Sequence, residues 1–209
     1  MSAIVTNLFI KRSKGAALTP VETLEATITG VTGNAPCGPL RHVLLLPQST
    51  LQQFALPAGQ LRENIVVDHP HLHDFESGTA LRIGSVTVRL TFHCEPCGRV
   101  IDKARASDLI HHRGYLGQII GGGRISIGDS VQDLGVQFET IPYAVKDRVR
   151  WALERQTKPV KAADLLFACG IPVCYSRALP KLLRTFPGQL ESLVVFESHK
   201  QNTGQMALV

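Results

Sequence analysis

Charge is scarce in this chain, and strongly apolar stretches are missing. Asp, Glu, Lys and Arg supply 19% of its 209 residues, with no run of five like charges, against 44% hydrophobic residues. Such a chain can bury enough apolar surface to fold, which excludes a disordered acidic or basic tail as its main content. No segment approaches the roughly eighteen consecutive apolar residues of a membrane helix. Met1-Ser2-Ala3-Ile4-Val5-Thr6-Asn7 lacks the basic region and apolar core of a secretory leader. Cysteine is sparse as well: five residues, an odd number at irregular spacing, do not make a disulfide framework and fit a reducing compartment. No internal repeat or low-complexity tract is present. The expectation is a cytoplasmic protein with no membrane partner, built as one main domain plus an appendage. The net charge of +5 and the pI near 9.1 favour an anionic partner, a phosphorylated cofactor or nucleic acid, although the basic residues are scattered along the chain.

What is present divides at about residue 140. Before it, short β-type runs are separated by Gly and Pro. They predict strands at Ile4 to Ile10, Leu24 to Thr29, His42 to Leu46, Asn64 to Val67, Thr79 to Ile83, Val86 to Phe92, Tyr115 to Ile120 and Arg124 to Ile127. Gly84-Ser85 reads as a hairpin turn, and strands at this density suggest a barrel or a strongly bent sheet. Short helices are expected near Ser49 to Phe54 and Ser107 to His112. Beyond it the period becomes helical. One helix is expected from Pro142 to Gln156, a second from Val160 to Cys169 with Gly170 as its stop, and a third from Tyr175 to Leu183, interrupted by Pro180. Leu193 to Phe196 then reads as a strand. The fold class is α+β: a β-barrel domain over 1–139, then a small helical segment over 140–209 with a helix-turn-helix outline and a strand placed like the wing of a winged helix.

Chemistry concentrates at Thr91-Phe92-His93-Cys94-Glu95-Pro96-Cys97-Gly98-Arg99, where a strand runs into two cysteines and stops at a glycine. A thiolate is the soft ligand and the nucleophile of the side-chain set, and Arg99 and His93 can supply the electropositive setting that favours it. The Cys94-x-x-Cys97 spacing leaves several readings open. A thioredoxin-type redox pair needs a βαβ context that is absent here, and structural zinc needs two more ligands, for which His111 and His112 are the candidates. One cysteine alone can ligate a soft, high-valent metal, and two buried thiols without a role complete the set.

Six separated blocks narrow the choice. Lys14-Gly15, Arg41-His42-Val43-Leu44-Leu45-Leu46, Gly59-Gln60-Leu61-Arg62-Glu63-Asn64-Ile65, Pro96-Cys97, Arg113-Gly114-Tyr115 and Gly123 to Asp129 follow one another in an order that resembles the MOSC family, the domain found at the C-terminus of molybdenum cofactor sulfurase. The resemblance covers about residues 4 to 135. It implies a β-rich, barrel-like fold and a role in binding molybdenum cofactor or carrying sulfur for it, with a sulfur-donor or electron-donor protein as partner. It also puts the key cysteine at Cys97, as catalytic residue and metal ligand. Molybdopterin is a dithiolene bearing an anionic phosphate, so its site needs a soft metal ligand and cationic donors. Arg41, Arg62, Arg99 and Arg113 stand at or beside the family's blocks, and Asn64 suits a pterin edge because it donates and accepts at once. Two blocks depart from the family's pattern: Gly33-Asn34-Ala35-Pro36 replaces a Gly-Asp-Arg type sequence, and Arg62-Glu63-Asn64 replaces Gly-Glu-Asn.

The C-terminal segment has a separate likeness. From Trp151 to Phe196, chiefly over Ala163 to Leu183, it is similar to the winged-helix DNA-binding domain of methylated-DNA alkyltransferases. That likeness implies DNA as a partner, with Arg177 as the residue that fills the gap left by a flipped base. The alkyl-accepting Pro-Cys-His-Arg block is absent, and Val195-Phe196-Glu197-Ser198-His199-Lys200 stands in its place.

Overall fold

The structure, a computed structural model, describes residues 3–196. Residues 43–47 and 65–67 are buried on both faces, as the unbroken apolar runs Val43 to Leu46 and Ile65 to Val67 require. These two strands, β5 (Val43–Pro47) and β6 (Ile65–Val67), pair in parallel, so the chain between them crosses over through a short helix, α1 (Gln48–Gln53). Around them run β1 (Ala3–Ile10), β7 (Thr79–Ile83), β8 (Val86–His93), β9 (Tyr115–Gly121) and β11 (Ser130–Gln137). The strand order β11-β7-β8-β9-β5-β6-β1, closed by a β1–β11 pairing, makes a seven-stranded barrel. Closure removes the sheet edges that an open sheet of this size would leave unpaired. A short edge strand, β2 (Thr19–Val21), extends β1, and β3 (Thr23–Thr27), β4 (Gly30–Val31) and β10 (Gly123–Ser126) form a separate three-stranded sheet. Val5, Leu8, Leu45, Ile65, Leu81, Val88, Leu90, Tyr115 and Ile119 fill the barrel.

The hairpin expected at Gly84-Ser85 is present, with Ile83 paired to Val86 and Gly84 at φ +57, a conformation that a side chain disfavours. Before residue 140, three strands went unseen in the sequence. β2 and β4 are only two or three residues long, and β11 is largely exposed along Gln132 to Gln137, so its alternation is weak.

The second half of the chain forms its own core from Val149, Leu153, Leu165, Leu166, Cys169, Leu179, Leu183 and Phe186. After the single turn α2 (Ala106–Leu109) that precedes β9, its helices are α3 (Val145–Leu153), α4 (Ala162–Ala168), α5 (Leu179–Leu183) and α6 (Gly188–Glu191), with a 3-10 turn over Val173–Arg177. The interruption expected at Pro180 is a split: the 3-10 turn ends at Arg177 and α5 begins at Leu179, with Pro180 in its first turn, where no intrahelical N–H is needed. The expected wing takes another form. The strand over Val194–Val195, β13, lies parallel to β12 (Val160–Lys161), where a wing would be an antiparallel hairpin. Glu197 to Lys200 lie outside the described residues. A fourth apolar cluster joins the two halves: Leu40, Leu44, Phe92, Cys94, Leu116 and Ile141, with Tyr143 and Trp151 against it. Among the described residues, no helix is long and apolar enough to cross a membrane.

Candidate functional site

β8 and β9 lose register between Leu90 and His93, a bulge that bends the end of β8 and releases the chain into the Cys94 to Val100 segment. Cys94 is 1% exposed and packs with Phe92 and Leu116, whereas Cys97 is exposed. Burial pushes the Cys94 thiol above its ordinary range. Successive turn bonds, Val100 N to Cys97 O at 3.0 Å and Lys103 N to Val100 O at 3.0 Å, wind the chain so that Arg99 and Lys103 line one cleft, with Cys97 on the same turn at its side. Val100 is the anchor of this turn, buried against Phe9, Leu46 and Leu61.

The opposite wall of the cleft is the loop of residues 58–62. Phe9, Leu18, Gly59, Gln60 and Arg62 line it with Arg99 and Lys103, around a volume of about 270 Å³. Glu63 builds this loop from beneath: its Oε1 accepts the Gly59 N–H at 2.5 Å. Glu63 is fully buried with Oε2 unpartnered, and burial raises its pKa, partly opposed by backbone N–H donors and by Arg113. Arg62 has φ +67, the left-handed region, where the family's pattern has glycine. The chain thus carries a side chain at a position that favours none, at a cost of about 1 kcal/mol or more, and that side chain is a guanidinium aimed at the cleft. Its Nη2 donates to the Ala16 carbonyl at 2.7 Å.

Arg113 is 4% exposed and works beneath the surface. It donates through Nη1 to the Glu95 carbonyl at 2.5 Å and through Nη2 to the Leu61 carbonyl at 3.5 Å, tying the cysteine turn to the Arg62 loop. Its Nε is buried without a partner. Burial, then the neighbouring Arg99 and Arg113 cations, lower the Arg62 pKa, while Cys97 and Cys37 act in the opposite sense. Arg62 therefore feels two like charges, Arg99 along the same cleft and Arg113 beneath the surface, an arrangement that an anion would relieve. Gly15 completes the rim; a Cβ there would lie 3.5 Å from Arg99 Nη1.

The structure does not bring Arg41 and Asn64 to this cleft, contrary to the expectation from their blocks. Asn64 is buried with its side chain spent on backbone, accepting the Leu44 N–H at 3.1 Å and donating to the Phe9 carbonyl at 3.2 Å, and so it clamps β1 to β5. Arg41 donates to the Gly170 carbonyl at 2.7 Å and points Nη2 at Cys94 Sγ, 3.9 Å away, at the joint with the helical segment. Arg177 is exposed on its 3-10 turn. The zinc grouping of Cys94, Cys97, His111 and His112 is not formed: among the described residues no three His, Cys, Asp or Glu side chains are placed to hold a metal ion. His111 instead packs on Tyr143 with ring centroids 4.5 Å apart, and His93 lies between His111 at 5.1 Å and Tyr115 at 4.3 Å. Sequence reading missed Lys103, Glu63 and this histidine cluster. Glu63 lies inside a family block but carried no assigned role, Lys103 lies outside every block, and the histidines come from three separate stretches of the chain that only the fold brings together. A larger cleft of about 340 Å³, mostly apolar and lined by Ile28, Val31, Pro36 and Phe167, contains neither Cys97 nor any arginine.

Residues 37–132 match the model of the MOSC domain. The matched stretch, less than half of the chain, lies within the barrel. No curated protein sequence matches the chain. Among solved structures, YiiM from Escherichia coli is similar in fold with a TM-score of 0.53 at 18% identity, the match covering 87% of this chain and 92% of that one. YuaD from Bacillus subtilis gives 0.53 at 17% identity over 63% and 94%, and YiiM from Geobacillus stearothermophilus gives 0.50 at 13% identity over 86% and 98%. Residues 1–139 are about two thirds of the chain, so a likeness over 87% of it runs into the helical segment. At these identities the comparison concerns the fold.

Arg62→Gly separates the two costs at this site. Releasing the left-handed strain should leave stability unchanged or raise it by about 1 kcal/mol. Affinity for a phosphate-bearing ligand should fall at least about tenfold with the loss of a charge-assisted bond. Urea denaturation and ligand titration of the same sample read both effects.

Proposed function

We propose that this protein binds molybdenum cofactor in the cleft of its MOSC domain, with Cys97 as the residue that ligates the metal or carries sulfur for it. The observation that supports this most is the convergence of Arg62, Arg99 and the buried Arg113 on the turn bearing the exposed Cys97, next to a polar cleft of about 270 Å³. The donor set suits the group: a soft thiol for the metal, planar guanidinium donors and Lys103 for a phosphate, and an Arg113 Nε that lacks a protein partner.

The bound cofactor would supply two-electron and oxo-transfer chemistry. The chain's own residues do the rest. Arg62 and Arg99 grip the anionic end, and Arg113 keeps the two loops at a fixed separation from below. For sulfur carriage, the Cys97 thiolate attacks the outer sulfur of a donor persulfide; a new S–S bond forms on Cys97, the donor's S–S bond breaks, and the donor leaves as a thiolate. No net oxidant is consumed, and the partner this requires is a sulfur-donor protein. For reductive oxygen removal the partner is an electron donor instead. Helical-segment contacts with DNA form no part of this reading.

The test is titration of the full chain with molybdopterin, followed by pterin fluorescence. One equivalent should bind, with affinity falling as salt rises because the phosphate contact is electrostatic. Absence of binding in the wild type, with the fold intact by circular dichroism, would overturn the reading.

A further inference from the structure

The geometry points to Arg148, in the helical segment, as a positioning residue for the cysteine turn of the barrel. Arg148 heads the largest side chains with no exposure, an unusual place for a guanidinium. Its Nη2 donates to Glu95 Oε1 at 2.8 Å, its Nη1 donates to the carbonyls of Tyr143 at 2.8 Å and Pro142 at 3.3 Å, and its Cζ lies 3.8 Å from the centroid of the Phe92 ring. Glu95 is the residue between Cys94 and Pro96-Cys97. It is therefore held at two points, its carboxylate by Arg148 from α3 and its carbonyl by Arg113 from the barrel. Arg41 adds a second tie in the other direction, from the barrel to the Gly170 carbonyl that follows α4.

A joint whose only task was adhesion would be built more cheaply from apolar side chains, because the desolvation of a buried guanidinium offsets most of what its ion pair contributes. What the pair adds is direction. The rigid fork fixes Glu95 relative to two carbonyls and an aromatic ring. With Glu95 fixed on both sides, the backbone leading to Cys97 has one exit path, and Cys94 stays closed in its apolar cluster. The helical segment is thus part of the site, and its place in the fold accounts for Arg148. This inference rests on the assignment of Cys97 as the functional thiol for its consequence, but its structural content is independent of any cofactor.

The experiment is thiol alkylation of the full chain, resolved by mass spectrometry at each cysteine. Cys169, also unexposed, lies in the core of the helical segment and reports general unfolding; Cys174 is exposed and serves as the reference rate. Arg148→Met and Glu95→Ala should each raise alkylation of Cys94 at least about tenfold, the change produced by about 1.4 kcal/mol of local opening, with Cys169 still protected. The double variant should be no worse than either single one, since both remove the same tie. Glu95→Gln, whose amide oxygen still accepts from the guanidinium, should restore protection to within about threefold. Protection of Cys94 unchanged in Arg148→Met and Glu95→Ala would overturn the inference. So would Cys94 and Cys169 opening together, which would make Arg148 a strut of the whole segment. Molybdopterin binding is measured on the same samples. If wild type binds none, the functional reading fails while the alkylation result stands by itself. If wild type binds and an Arg148→Met sample with opened Cys94 binds equally well, the positioning role for the site is refuted.

Discussion

Cys97→Ser should reduce cofactor retention and sulfur loading to less than about a tenth of wild type, at the scale expected when a metal site loses a ligand. Cys94→Ser should leave most of both. The asymmetry follows from the setting of each thiol. Cys94 is enclosed by Phe92, Leu40, Leu44 and Leu116, and burial raises its pKa, so it stays a neutral, inaccessible thiol. Cys97 is exposed on the turn that also carries Arg99 and Lys103. Cys94→Ser has a different cost: a hydroxyl in an apolar cluster, destabilising by about 1 to 3 kcal/mol when unpartnered. The two variants should therefore separate cleanly, one losing function at constant melting temperature, the other losing stability at nearly constant loading. Elemental analysis, persulfide trapping and thermal denaturation read all three quantities. Equal loss of loading in both variants would contradict the assignment.

The second large effect is on acid stability. His73 and His93 are pushed down to about 4, chiefly by burial and then by neighbouring histidines, with His112 acting on both. The His73 ring accepts the Gly114 N–H at Nε2, and His93 Nδ1 is buried without a partner. Both groups have folded pKa values below the unfolded value of about 6.5. Above that pH both states are neutral and stability does not depend on them. As pH falls from about 6.5 toward 4, the unfolded chain takes up protons that the native state refuses, and stability drops. Each such proton costs about 1.4 kcal/mol per pH unit, and with partial exposure and mutual repulsion the pair should cost about 2 to 4 kcal/mol between pH 6.5 and 4.5. Urea midpoints across that range test this. In His73→Gln with His93→Asn, which retain an acceptor without a titrating proton, most of the slope should vanish. A slope unchanged in that double variant would remove these histidines from the account.

The barrel was largely legible in the sequence because β5, β6, β7 and β8 bury continuous or alternating apolar runs that no helix would share. β11 escaped because its outer face is solvated. The third helix was legible in composition, and the interruption expected at Pro180 is present: the stretch divides into a 3-10 turn over Val173–Arg177 and α5 from Leu179, with the proline in the first turn of α5. At the site, Cys97 was chosen over Cys94 from a Pro-Cys block, and the structure gives the two thiols opposite exposure. The arginines read as scattered because sequence distance hides them: residues 62, 99 and 113 meet only after the crossover through α1 and the β8–β9 pairing place their loops together. Asn64 and Arg41 show the limit of motif reading. A polar residue in a family block can serve the frame, and only its hydrogen-bond partners tell which. Arg148 lay outside every motif, since nothing in a helical period signals that a guanidinium will be wholly enclosed.

Metal content of the purified full chain, expressed with molybdate supplied, tests the central claim most directly. The account predicts molybdenum with an equivalent of pterin per chain, lost in Cys97→Ser and reduced in Arg62→Gly. Stoichiometric zinc in place of molybdenum, lost equally in Cys94→Ser and Cys97→Ser, would contradict it.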